Sequence, residues 1–202
     1  YNTEYYKRPD RILKGGADQL SRELEKAVVR EPQRFASLAC RFSTEINNCY
    51  FDAILRGLNE SNAGGNEIYP VVRHFFSLTG KPGSRWLCGP IKKLREELIP
   101  DDILSIVGWL ATESTDPKTD ALIIRTGNMG DRPSPHDLFN SAINCTRGTA
   151  AEAIEVLLME DRGRVELFLP FLERMVRDPS VIVRSTVAGA VLGLFKWDEI
   201  RA

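Results

Sequence analysis

Residues 163–195 read GRVELFLPFLERMVRDPSVIVRSTVAGAVLGLF, and the spacing of their apolar side chains predicts two helices joined by a tight turn. Val165, Phe168, Leu169, Leu172, Met175 and Val176 recur at the three- and four-residue steps of one helical face. After Asp178-Pro179 the pattern resumes with Val183, Val187, Ala190, Val191 and Leu194. Pro170 stands inside the first helix, Asp178 in the turn and Arg184 near the start of the second helix. A carboxylate just ahead of a helix accepts hydrogen bonds from the unpaired N–H groups of the first turn. Asp178 is therefore expected to cap the second helix. Gly189 and Gly193 are expected to let that helix approach a neighbour closely.

The same rhythm extends toward the N-terminus. A charged helix is predicted over about 17–30. Glu31-Pro32 opens the next, whose face is Phe35, Leu38, Ala39 and Phe42. Ile46, Tyr50, Phe51, Ile54, Leu55 and Leu58 mark another, and Ile68, Val71, Val72 and Phe75 a further one, which Thr79-Gly80-Lys81-Pro82-Gly83 ends. Trp86, Leu87, Ile91, Leu94 and Leu98 share a face bent at Gly89-Pro90. Ile103, Ile106, Val107 and Leu110 follow Pro100-Asp101-Asp102. Ala150, Ala151, Ile154, Leu157 and Leu158 form a stripe with Thr149, Glu152 and Glu155 on the wet side. Trp86 and Trp109 are expected in the core, whereas Phe195 and Trp197 are expected to meet further chain. Residues 1–16 read as a polar, aromatic arm, 17–111 as degenerate helical repeats, 112–135 as an inserted loop and 136–202 as further repeats. Strand signals are nearly confined to Leu122-Ile123-Ile124. The chain reads as all-α: stacked antiparallel helix pairs in an α-α superhelix.

The Pro170, Asp178 and Val183-Arg184 spacing resembles a HEAT repeat over 163–195. That resemblance implies structural roles for Pro170, Asp178 and Arg184, with the Asp and Arg of successive repeats bonded between turns. The other helix pairs match loosely: Ser37 stands where the Arg would fall after Glu31-Pro32. Pro32-Gln33-Arg34-Phe35, Ala53-Ile54-Leu55-Arg56-Gly57-Leu58 and Asn144-Cys145-Thr146-Arg147-Gly148 also resemble repeat segments of large bacterial STAND-like NTPases, several of which act in antiphage defence. That likeness implies a fragment of a larger bacterial protein, with any NTPase elsewhere, since no phosphate-binding glycine motif occurs here. The start at Tyr1, without Met, fits the same expectation.

The net charge is −1 and the hydrophobic fraction 43%, which argues for a packed core and against a general nucleic-acid binder. No apolar run spans a bilayer, so no membrane partner is expected. Lys81, Arg85, Lys92, Lys93 and Arg95 cluster in sequence, but Glu96 and Glu97 follow, the mark of a solvated mixed-charge face. His74 and His136 share no spacing, and Cys40, Cys49, Cys88 and Cys145 contain no C-x-x-C pair. Reduced, buried thiols in a cytoplasmic protein are expected, with no metal and no cofactor. Gly127-Asn128-Met129-Gly130-Asp131 reads as a tight turn. Asn144 is expected to cap the helix after it, and Arg147 to bond a neighbouring repeat. Asp137, after Pro135-His136, is a further candidate cap. No catalytic constellation is evident, so a non-catalytic protein–protein interaction or sensing module is expected, its partner being a separate protein or other domains of the parent chain. The alternative is a nucleic-acid-binding HEAT-like module of the DNA glycosylase kind. Arg125, Asn128, Asp131 and Arg132 of the inserted loop are the candidate partner-binding side chains.

Overall fold

A computed structural model of the chain describes residues 16–117 and 135–198, and among these every regular element is helical. They are α1 (Ala17–Arg30), α2 (Pro32–Ala39), α3 (Asn48–Glu60), α4 (Gly65–Ser77), α5 (Ser84–Lys93), α6 (Asp101–Glu113), α7 (Pro135–Ala142), α8 (Thr146–Glu160), α9 (Val165–Val176) and α10 (Val181–Asp198), with a short 3-10 helix at Arg162–Arg164 ahead of α9. Arg125, Asn128, Asp131, Arg132 and the Leu122-Ile123-Ile124 run lie outside the described residues. The chain divides into two compact units at Gly83/Ser84. That division falls within the block 17–111.

In the first unit α1 packs on α2 and α3, and α2 packs on α3 and α4. The predicted face of α3 is the buried one: Phe51, Ile54, Leu55 and Leu58 have no exposed surface, and neither have Ile68, Val71, Val72 and Phe75 of α4. Phe51 and Phe75 meet edge to face with centroids 4.7 Å apart, and Phe42 closes the cluster 5.3 Å from Phe51. Asn47 caps α3 by accepting from the Cys49 N–H at 3.1 Å. On α2 the buried positions are Ala36 and Ala39, while Leu38 is 44% exposed, contrary to expectation. A short helix buries a narrow stripe, and here the small residues occupy it. The turn after α4 uses left-handed backbone at Gly80, Lys81 and Gly83. Glycine adopts it without a Cβ penalty.

In the second unit α8 is the central helix. It packs on α5, α6, α7 and α10, while α9 packs on α6 and α10. Encirclement explains the main departure from the sequence pattern. Thr146, Arg147 and Gly148 are buried, while Thr149, Glu152 and Glu155, the predicted wet side, are half-buried and form the more open side of the helix. A helix with neighbours on most sides keeps only a narrow polar face. Helix α5 ends at Lys93, so Leu98 lies past it and is 94% exposed. Helix α9 buries Phe168, Leu172 and Met175, leaving Leu169 and Val176 outward. Trp86 and Trp109 are half-buried, not core residues. No helix among the described residues is long and apolar enough to cross a membrane.

Candidate partner-binding surface

Three turns of the second unit are cross-linked by polar groups, most of them buried. Asp116, beyond the end of α6, accepts from the Thr146 N–H at 2.7 Å and from the Thr146 hydroxyl at 2.9 Å. It therefore supplies the cap at the start of α8. Its carbonyl accepts from the Arg147 N–H at 2.9 Å. The Arg147 guanidinium donates to the Pro117 carbonyl and, at 2.6 Å, to the Asp178 carboxylate. Both members of this ion pair are 7% exposed. The second Asp178 oxygen accepts from the Ser180 N–H at 2.7 Å. Arg184 turns back to the carbonyls of Asp178 at 2.6 Å and Pro179 at 3.0 Å.

Several expectations change at this point. Asp178 lies two residues before Ser180, which precedes α10, so it braces the turn rather than capping the helix directly. The cation facing it is Arg147, thirty-one residues earlier. Arg147 bonds a neighbouring turn, as the sequence suggested, but Asn144 does not cap α8. Its side chain donates to the Asn140 carbonyl at 2.7 Å and accepts from Arg85. Asp137 lies in the first turn of α7, not ahead of it. Pro170 lies within α9. Arg164 went unnoticed in the sequence. It is 5% exposed and donates to the carbonyls of Leu157, Arg95 and Glu97 at 3.1, 2.8 and 2.9 Å. Its only sequence signal is an arginine in a turn, and turns carry many solvated arginines.

Helices α7, α8 and α10 enclose a groove of about 280 Å³. Phe139 and Ile143 form an apolar wall, 62% and 38% exposed. The other side is Glu152 and Glu155 of α8, with Ser185, Thr186 and Gly189 of α10. Glu152 is paired with Lys92 at 2.9 Å. The Glu155 carboxylate rests on Gly189, where a built Cβ would stand 2.1 Å from Oε2. Gly193 likewise lies under Leu158, with 3.0 Å to its Cβ. The two glycines thus serve a close approach, and the neighbour is α8. Burial, and then the charge of Glu152, raise the pKa of Glu155. Along the outer side of α10, Val181, Leu192 and Phe195 are exposed, while Trp197 is half-buried and donates to the Leu158 carbonyl at 2.6 Å.

The basic run is largely engaged in local bonds. Arg85 bonds Asn144, Lys92 bonds Glu152, and Arg95 lies 3.7 Å from Glu160 and 3.5 Å from Glu96. Lys81 donates to the Phe76 carbonyl at 2.8 Å. His74 is half-buried against the Phe42 carbonyl at 2.8 Å, and His136 bonds Asn140 at 2.6 Å. No group of three or more His, Cys, Asp or Glu side chains is placed to hold a metal among the described residues.

All four cysteines are free, yet only two are buried. Burial pushes the Cys88 thiol up to about 12 and the Cys145 thiol up to about 11. Cys40 and Cys49 are half-buried and raised less. Since the thiolate is the reacting form, Ellman's reagent at mildly alkaline pH should modify Cys40 and Cys49 in the native chain and reach Cys88 and Cys145 only after denaturation. Native reaction of Cys88 at the rate of Cys49 would contradict its burial.

Compared with protein-family models, curated proteins and solved structures, the chain gives no match. The class that fold and surface define is an all-helical chain carrying an open, partly apolar groove.

Proposed function

We propose that this chain is a non-catalytic protein–protein interaction module of HEAT-like helical repeats, belonging to a larger bacterial protein of the cytoplasm. The observation that carries the function is the groove between α7, α8 and α10, where Phe139 and Ile143 stand in solvent beside a half-buried carboxylate. Exposed apolar side chains grouped at a concavity favour a partner, because covering them releases ordered water. The repeat architecture draws support from the Arg147–Asp178 pair, which joins the turn before α8 to the turn before α10. That is the kind of inter-turn link the HEAT resemblance implies. The STAND-like resemblance suggests that the partner is either a separate protein or another domain of the parent chain. The nucleic-acid alternative gains nothing from a basic run already bonded to Glu152, Glu160 and Asn144.

A photo-crosslinking residue at position 139 of the full-length parent, compared with one at exposed Glu173 on α9, tests the module. The expected result is a discrete protein adduct from position 139 that Ile143→Ser abolishes and that position 173 does not give. Equal labelling from both positions, or tight and steeply salt-dependent binding of duplex DNA by the chain, would overturn it.

A further inference from the structure

The polar side of the groove carries acceptors and offers no hydroxyl hydrogen. The Ser185 hydroxyl donates to the Ile182 carbonyl and the Thr186 hydroxyl to the Val183 carbonyl, both at 2.7 Å. Their remaining lone pairs, and the carboxylates of Glu152 and Glu155, are what the wall presents. Glu152 already holds Lys92. Glu155 has no cation within bonding distance among the described residues. Its carboxylate is held at the α8–α10 contact because Gly189 provides the space. The lining from α7 and the residue after it includes an aromatic and an aliphatic side chain, Phe139 and Ile143. An occupant must therefore be apolar on one side and a strong hydrogen-bond donor on the other.

We propose that this groove receives a segment of a partner protein, which inserts a bulky apolar side chain against Phe139 and Ile143 and sets a lysine or arginine on Glu155. A protonated amine or guanidinium only donates, so it matches an acceptor-lined wall in both charge and hydrogen bonding. A carboxylate or phosphate in the same place would meet Glu155 with no donor to receive it. The apolar side chain adds burial that a simple counter-ion would lack. This inference rests on the interaction-module reading and adds the chemistry of the partner.

The probes are alanine-based helical peptides carrying one leucine and one lysine a helical turn apart, with matched peptides in which glutamine or glutamate replaces the lysine. Binding to the full chain is followed by fluorescence anisotropy and by amide NMR shifts at Gly148 and Gly189. The lysine peptide should bind, the glutamine peptide about fivefold more weakly and the glutamate peptide weaker still, on the scale of a partly exposed ion pair. Glu155→Gln should remove the difference between lysine and glutamine peptides, and Glu155→Lys should reverse the order to favour glutamate. Glu155→Gln should fold normally, since glutamine keeps the shape that fits against Gly189. Phe139→Ser should weaken all three peptides together. If Phe139→Ser weakens binding but Glu155→Gln leaves the lysine preference intact, the cation assignment is wrong and the interaction surface stands. If Phe139→Ser changes nothing, the groove is not the docking site. Self-association of the chain that Phe139→Ser abolishes would assign the groove to a second copy. Binding that appears only when residues 118–131 are replaced by a Gly-Ser linker would assign it to the chain itself. Either result overturns the proposal.

Discussion

Asp178→Ala is expected to lower the unfolding free energy by roughly 3–5 kcal/mol, the range for breaking a buried ion pair by removing one partner. Losing an ordinary helix cap would cost only about 0.5–2 kcal/mol, so the magnitude decides between the two roles of this residue. The larger value is expected because Asp178 faces Arg147 at 2.6 Å and both are 7% exposed. Without the carboxylate, a guanidinium is left buried with the Pro117 carbonyl as its remaining side-chain acceptor among the described residues. The turn also loses the acceptor for the Ser180 N–H. Asp178→Asn separates these effects, since an amide oxygen can still accept from Ser180 but carries no charge for Arg147. Arg147→Met placed on top of Asp178→Ala should recover part of the loss, because it removes the stranded cation. Urea unfolding midpoints at constant slope supply the readout. A loss of 1 kcal/mol or less, strictly additive with that of Arg147→Met, would reduce Asp178 to a turn residue.

The same pair shows where sequence reading stops. The helices were legible because burial repeats every three or four residues, as in Phe51, Ile54, Leu55 and Leu58. Asp178 was legible as a turn carboxylate before a helix. Its partner was not, because Arg147 precedes it by thirty-one residues and only the packing of α8 on α10 brings them together. Asp116 was hidden in the same way, within a segment read as an inserted loop, although it caps the helix that starts thirty residues later. Leu38 and Leu98 fit their predicted faces by spacing alone. One lies outward on a helix whose alanines are buried, and the other lies past the end of its helix. Periodicity records which side of a helix is apolar. It carries no information on how many neighbours that helix acquires, and α8, packed by α5, α6, α7, α10 and the 3-10 helix, keeps only a half-buried strip of its predicted wet side. The groove lies along that strip, where the Glu155 carboxylate rests against Gly189 of α10.

Two glycine substitutions on that packed surface should part widely. A Cβ built on Gly148 would stand 2.2 Å from the Ala142 carbonyl oxygen, 2.7 Å from its carbon and 2.8 Å from Ala142 Cα. All three are backbone atoms at the end of α7, so no side-chain rotation relieves the contact. The start of α8 is not free to retreat, because the Thr146 and Arg147 N–H groups are bonded to Asp116. The end of α7 must therefore move, and Phe139 and Ile143 of the groove wall move with it. Gly148→Ala is expected to cost about 3 kcal/mol, the upper end of the usual overpacking range, and to shift the amides of residues 139–143. At Gly189 the built Cβ is closer still, 2.1 Å, but to the Glu155 carboxylate oxygen at the tip of a flexible side chain. That group can swing aside, and alanine is favoured over glycine within a helix by roughly 1 kcal/mol. Gly189→Ala should therefore lie within about 1 kcal/mol of the parent in stability, while displacing the carboxylate from its place in the groove. Urea midpoints for the two variants, measured side by side, test the contrast. Equal and mild effects would mean that α7 yields freely against α8, and the groove wall would then not be the fixed surface on which a partner could dock.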